Sequence, residues 1–152
     1  MQPIIYTIGH SNQAVDSLLD MLRSFEIQLV ADVRSFPVSR RWPQFNKDAL
    51  LQSLTEVGIS YQHFPLLGGK GTAGISYSEY MRSSAFAGAI TQLQTLANTQ
   101  NLAYMCAEAN WQHCHRSHIS DYLKAHGWQV NHIQDIGVFT PHPDRVKQTK
   151  LF

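Results

Sequence analysis

The segment Cys106-Ala107-Glu108-Ala109-Asn110-Trp111-Gln112-His113-Cys114-His115-Arg116 holds both cysteines of the chain, two of its eight histidines, an acid and an arginine. It follows an apolar run and precedes a helical pattern, so it reads as a strand-to-helix loop. The first N–H groups of such a helix, with its positive dipole end, favour phosphate or carboxylate, and Arg116 adds a bidentate grip. The same dipole lowers a cysteine pKa, making Cys106 or Cys114 a candidate nucleophile. His115 lies four residues before Ile119 and seven before Tyr122, which turns it inward on the helix. Glu108 and His115 are acid–base candidates. Cys106, Glu108, Cys114 and His115 are also donors of the kinds zinc and iron accept. Their spacing matches no Cys-x-x-Cys or His-Glu-x-x-His pattern, so zinc or iron is an expectation from donor type alone.

Three further segments end or follow strands. Gly9-His10-Ser11 supplies a tight turn, a titratable ring and a hydroxyl. Asp32-Val33-Arg34 puts an acid at the end of an apolar strand, where a buried charge needs a partner. Arg34 supplies that pairing or faces a ligand. Leu67-Gly68-Gly69-Lys70-Gly71-Thr72-Ala73-Gly74 lacks the Gly-x-x-x-x-Gly-Lys-Ser/Thr order of a phosphate loop. Its glycines still allow a flap whose amides approach an anion, with Tyr77 and Tyr80 just beyond. Between Arg34 and Lys47, the bases Arg40 and Arg41 alternate with Phe36, Trp42 and Phe45 and meet no acid. Basic and aromatic residues interleaved in this way hold phosphates and stack bases, and Arg145, Lys147 and Lys150 extend the basic character into the tail.

Positioning these segments requires a regular scaffold. Residues 4–8, 29–33 and 102–106 are nearly all apolar, as central parallel strands are. Residues 59–64 and 128–133 interleave polar side chains and read as edge strands. Between them run helical stripes: Val15, Leu18, Leu19, Leu22 and Phe25 after an Asn12 cap; Leu50, Leu51, Leu54 and Val57 after Asn46; Phe86, Ala89, Ile90, Leu93 and Leu96; and Ile119, Tyr122 and Leu123. Phe45 and Leu50 form a hydrophobic staple across the second start. Alternating strands and helices predict an α/β fold: one three-layer domain over residues 1–152, with a mostly parallel sheet of about five strands and helices on both faces. The simplest strand order is third, second, first, fourth, fifth. A ligand crevice then lies beyond the carboxyl ends, between the first and fourth strands.

The chain has 152 residues, 43% hydrophobic and 15% charged, a balance that excludes wholesale disorder. Its 12 basic and 11 acidic residues give a net charge of +1, so no global field draws it to nucleic acid. No apolar run reaches membrane-spanning length. With two cysteines and no basic-then-apolar leader, the expectation is a cytoplasmic protein with reduced thiols and no membrane partner.

Thr7-Ile8-Gly9-His10-Ser11, Asp32-Val33-Arg34 through Pro37, Leu67-Gly68-Gly69, and Cys106-x-Glu108 followed by Cys114-His115-Arg116 occur in this order. Together they resemble the family of domain of unknown function 488, over roughly residues 4–137, leaving a C-terminal tail at 138–152. The resemblance implies a compact α/β domain with a site built from these motifs and names no reaction. A looser likeness to rhodanese-type domains would put Cys106 at a sulfur-carrying position, although the loop to Arg116 is longer than their cradle. The leading expectation is an enzyme or enzyme-like binder of an anionic small molecule or nucleotide. His10, Cys106, Glu108, Cys114 and His115 are its catalytic candidates, with Gly9, Ser11, Arg34, Gly68, Gly69 and Arg116 holding the ligand. The competing readings are a nucleic-acid module using residues 34–47, and a metal-dependent or sulfur-transferring enzyme using residues 106–116.

Overall fold

The computed structural model describes residues 2–69 and 74–144. Strand β1 (Ile4–Gly9) leads to helix α1 (Val15–Ser24), and β2 (Leu29–Asp32) precedes α2 (Lys47–Glu56) and β3 (Ser60–His63). The single-turn α3 (Tyr77–Tyr80) and the longer α4 (Ser84–Ala97) follow. Next come β4 (Leu102–Cys106), α5 (Arg116–Ala125), β5 (Gln129–Asp135) and β6 (Val138–Pro141). One sheet runs β3-β2-β4-β1-β5-β6, parallel throughout except that β6 pairs antiparallel with β5.

The α/β class is as the sequence implies, while the strand order and two boundaries differ. β4 lies between β2 and β1 instead of beyond β1. Both β1 and β4 are apolar and central, so hydrophobic patterning does not distinguish their exchange. β5 is no edge strand, because residues expected to begin a tail form β6 against it. The α1 cap is Ala14, without a side-chain bond, and not Asn12. Asn46 caps α2 by position, but its side-chain oxygen accepts from the Ser39 amide. Lys70 to Ala73 of the glycine-rich loop, and Arg145, Lys147 and Lys150, lie outside the described residues.

Alternation along the strands sorts the core into two layers. On one face Ile5, Leu29, Ala31, Leu102, Tyr104, Cys106 and Val130 pack against Phe86, Ile90 and Leu93 of α4 and Ile119 and Leu123 of α5. On the other, Ile8, Val30, Ala103, Met105 and Ile133 pack against Leu18 and Leu22 of α1 and Leu50 and Leu54 of α2. The same parity carries past the strand ends. Thr7, Cys106 and His132 share the α5 face, whereas His10 and Asp32 share the α1/α2 face.

The observed order also explains Gly9. It pairs with Cys106, and the His10 amide donates to the Cys106 carbonyl at 2.9 Å. The chain leaving β4 toward β5 must cross the end of β1. A Cβ on Gly9 would lie 1.8 Å from the Glu108 carbonyl oxygen, so only glycine lets the crossing loop pass.

Candidate functional site

Arg116 opens α5 yet is only 1% exposed. Nη1 donates to Thr7 Oγ1 at 3.0 Å, and Nη2 donates to the carbonyls of Glu108 and Ala109. Both Nε and the backbone N–H donate to Cys114 Sγ at 3.4 Å. No carboxylate is among these partners, although a buried cation is costly without an anion. The group that fits is a Cys114 thiolate. Cys106 Sγ sits 3.0 Å from Cys114 Sγ, and both cysteines are free. The hydrogen bond from the Cys106 thiol, opposed by burial and helped by the Arg116 charge and its two N–H groups, brings the Cys114 pKa down to about 6. The same hydrogen bond, with burial, pushes Cys106 up. Burial disfavours the Arg116 charge, but the two sulfurs more than offset it and raise its pKa.

Behind Arg116 runs a chain of buried hydrogen bonds. Arginine has only donors, so Thr7 Oγ1 accepts from it and donates onward to His132 Nδ1 at 2.8 Å. His132 Nε2–H then donates to His142 Nδ1 at 2.9 Å, and His142 Nε2–H to Asp121 Oδ1 at 2.7 Å. This direction gives every atom along the chain a partner. Burial, ahead of the neighbouring His142 ring and the Arg116 cation, holds the His132 pKa down to about 3. Trp111 stacks on the His132 ring at 4.5 Å and 4°, which couples the 106–116 loop to this chain.

A second buried arginine stands on the opposite face. Arg34 is 7% exposed and forks onto Asp32, Nε to Oδ1 at 2.9 Å and Nη2 to Oδ2 at 2.7 Å. The Tyr61 hydroxyl also donates to Asp32 Oδ2. His10 stacks on Phe45, donates from Nδ1 to the Ser11 carbonyl at 2.8 Å, and accepts at Nε2 from Arg34 Nη1 at 3.3 Å. Burial leads the forces that bring its pKa down to about 4, so the ring is neutral.

Between the two clusters opens a cleft of about 700 Å³ that includes Arg34, Arg41, Trp42, Cys106, Cys114 and His115 in its wall. That volume suits a small molecule. His115 donates from Nε2 to the Val33 carbonyl at 2.9 Å. Its Nδ1 therefore keeps a lone pair, and a Cβ on Gly69 would approach that atom to 3.3 Å. Burial, ahead of the opposing Val33 bond, lowers the His115 pKa.

The expected residues thus converge at the carboxyl ends of β1, β2 and β4, with different duties. Cys106, Cys114, His10, His115, Ser11, Arg34 and Gly69 border the cleft. Glu108 is at its exposed rim, and what it gives the cluster is its backbone carbonyl, which accepts from Arg116. Arg116 faces the sulfurs and the crossing loop, and Gly9 and Gly68 are points of close approach. A Cβ on Gly68 would meet Ser35 Oγ at 2.1 Å. Tyr77 and Tyr80 hydroxyls donate to the Leu67 and Leu66 carbonyls and so brace the segment before Gly69. Among the described residues no group of three or more His, Cys, Asp and Glu side chains is placed to hold a metal ion. Cys106, Glu108, Cys114 and His115 do not form one shell: His115 Nε2 is tied to Val33, and the Arg116 cation holds the Cys114 sulfur.

Sequence reasoning missed Thr7, Asp121, His132 and His142. A signal existed for the first and third, since each is a polar residue at the inward parity of its strand. His142 fell in the supposed tail and carried none. No described helix is long and apolar enough to cross a membrane. A family model described as domain of unknown function DUF488 matches residues 14–123, which include Arg34, both cysteines and Arg116. No curated protein and no solved structure matches.

Proposed function

The chain belongs to the family described as domain of unknown function DUF488, and from that premise we propose that it is a thiol-dependent enzyme acting on an anionic small molecule, with Cys114 as nucleophile. The observation that carries this reading is the Cys114 sulfur at the cleft wall, receiving the Cys106 thiol and two N–H groups of a buried arginine whose partners among the described residues include no carboxylate. A thiolate persists there at neutral pH, where a free cysteine is largely protonated. Arg41, at the exposed rim, supplies positive charge along the path to the sulfur. A substrate carboxylate or phosphate binds on that side while its electrophilic atom meets Cys114 Sγ. His115 Nδ1 takes or returns a proton at the same wall. Arg116 positions the nucleophile and stabilises its charge.

The test is the pH dependence of Cys114 alkylation by iodoacetamide, followed by peptide mass. Half-maximal rate near pH 6 is expected, with no labelling of this site in Cys114→Ser. A midpoint at the value of a free thiol would overturn the reading. Iodoacetate, the anionic reagent, should gain on iodoacetamide relative to their ratio with a free thiol, and Arg41→Ala should remove the gain.

The exposed loop gives a second reading its support. Phe36 is 69% and Val38 66% exposed, beside exposed Arg40 and Arg41, a surface suited to stacking bases and meeting phosphates. Oligonucleotide affinity that falls steeply with salt, and is lost in Arg40→Ala/Arg41→Ala, would favour it.

A further inference from the structure

We propose that Cys106 and Cys114 form a redox pair that exchanges with low-molecular-weight disulfides carrying carboxylates. This rests on the reading of Cys114 as the nucleophile and adds a role for Cys106. Two independent features carry it. The sulfurs are already 3.0 Å apart, so about 1 Å of closure makes a bond. Their environments also differ as such a pair requires: Cys114 is partly exposed in the cleft wall, and Cys106, in the same wall, is only 2% exposed. A partly open thiolate attacks from outside, while a shielded thiol meets only its neighbour.

The steps balance. The Cys114 thiolate attacks one sulfur of R–S–S–R, the substrate S–S bond breaks, and one R–S⁻ leaves to be protonated by water. Cys106 Sγ then attacks Cys114 Sγ in the mixed disulfide. The second R–S⁻ leaves and takes up the proton that Cys106 gives up. Two electrons pass from the protein to the substrate, leaving a 106–114 disulfide and two small thiols. The reverse exchange, with any dithiol, restores the pair.

Arg116 sets the direction. In the disulfide state it keeps Thr7 and the two carbonyls but loses its anion. A buried cation without a counter-charge is unfavourable, so the dithiol is the favoured state and the disulfide is a ready oxidant. The cleft selects the substrate. Its volume of about 700 Å³ accommodates a small peptide disulfide, and with Arg34 already paired to Asp32 it is Arg41 at the rim that attracts a carboxylate-bearing molecule, Glu108 on the same rim being the group that opposes it.

The experiment exposes the reduced, full-length chain to glutathione disulfide at neutral pH, quenches with acid and reads intact mass. Wild type should lose two hydrogens and retain no adduct. Cys106→Ser should accumulate a single glutathione on Cys114, and Cys114→Ser should show neither product. A wild-type adduct that never resolves would overturn the role of Cys106 and leave the nucleophile standing. No adduct on Cys106→Ser would overturn both. Cystamine, the cationic disulfide, should react at least roughly tenfold more slowly at low salt, with the gap closing at high salt. Equal rates at low salt would overturn the anionic substrate class. In glutathione buffers, Arg116→Met should hold its disulfide at a ratio at least about tenfold more reducing than wild type does. An unchanged ratio in that variant, folded by circular dichroism, would overturn the role given to Arg116.

Discussion

Arg34 and Arg116 are both buried at the carboxyl edge of one sheet, on opposite faces, and they are neutralised by different means. Arg34 forks onto Asp32, a carboxylate that is 0% exposed. Arg116 faces Cys114, and its other bonds go to a hydroxyl and two carbonyls. The difference is chemical. A carboxylate partner is unreactive toward oxidants and disulfides, so the Arg34 pair is a fixed brace. A thiolate partner can take a proton, attack an electrophile or form a disulfide, and each event removes the anion. On the proposed reading the Arg116 pair responds to pH and to oxidants, while the Arg34 pair holds the adjoining wall still.

The largest expected contrast is in stability. Arg34→Met leaves Asp32 buried without its cation, which costs roughly 3–5 kcal/mol. Arg116→Met lets Cys114 take the proton it would carry unfolded, so the loss is about 1–3 kcal/mol from the unmatched Thr7, Glu108 and Ala109 oxygens and the lost thiolate. Urea unfolding of both variants at pH 7 checks the order, and equal losses would erase the distinction.

Next in size is a pH dependence belonging to the thiolate. Cys114 has a folded pKa of about 6 against the ordinary 9.0. Between those values the unfolded chain binds the extra proton, so stability rises with pH by at most about 1.4 kcal/mol per unit. It is lost again as pH falls toward 6. Above 9 the raised pKa of Cys106 reverses the slope, because the unfolded chain then ionises first. In Cys114→Ser the rise between 6 and 9 should vanish. His10 and His132, with pKa values lowered to about 4 and about 3, act in a lower window. Below about pH 6.5 the unfolded chain binds protons that these rings refuse, and stability falls in wild type and Cys114→Ser alike.

Smaller effects sharpen the picture. Thr7→Val removes the hydroxyl that links Arg116 to His132, for a loss of about 1–2 kcal/mol by thermal unfolding. It should move the Cys114 alkylation midpoint far less than Arg116→Met does. Gly69→Ala meets only the His115 ring, at 3.3 Å. Its stability should stay within about 0.5 kcal/mol of wild type, while a shifted ring alters the pH–rate profile of alkylation.

Much of this was legible in the residues because it is local or periodic. Apolar runs at 4–8, 29–33 and 102–106 mark the central strands, the helical stripes mark the layers, and Gly9, Asp32 and Cys106 mark where strands end. Cys114-His115-Arg116 announces a helix start with a nucleophile beside a cation. From these alone follow the α/β class, the family resemblance and the placing of the candidate residues at one edge.

Tertiary structure decided the rest, since it depends on which strands become neighbours and which side chains meet. Placing β4 between β2 and β1 sends residues 107–110 across Gly9 and folds Cys114 back onto Cys106, two residues with no helical or strand spacing to link them. The same crossing turns Arg116 from the cleft to the sulfurs. Pairing β6 with β5 brings His142, outside any recognisable motif, onto His132 and Asp121. Hydrophobic pattern specifies how much surface each element buries and on which side. It does not specify the partner of a buried charge, which is settled only when long-range packing brings the groups into contact.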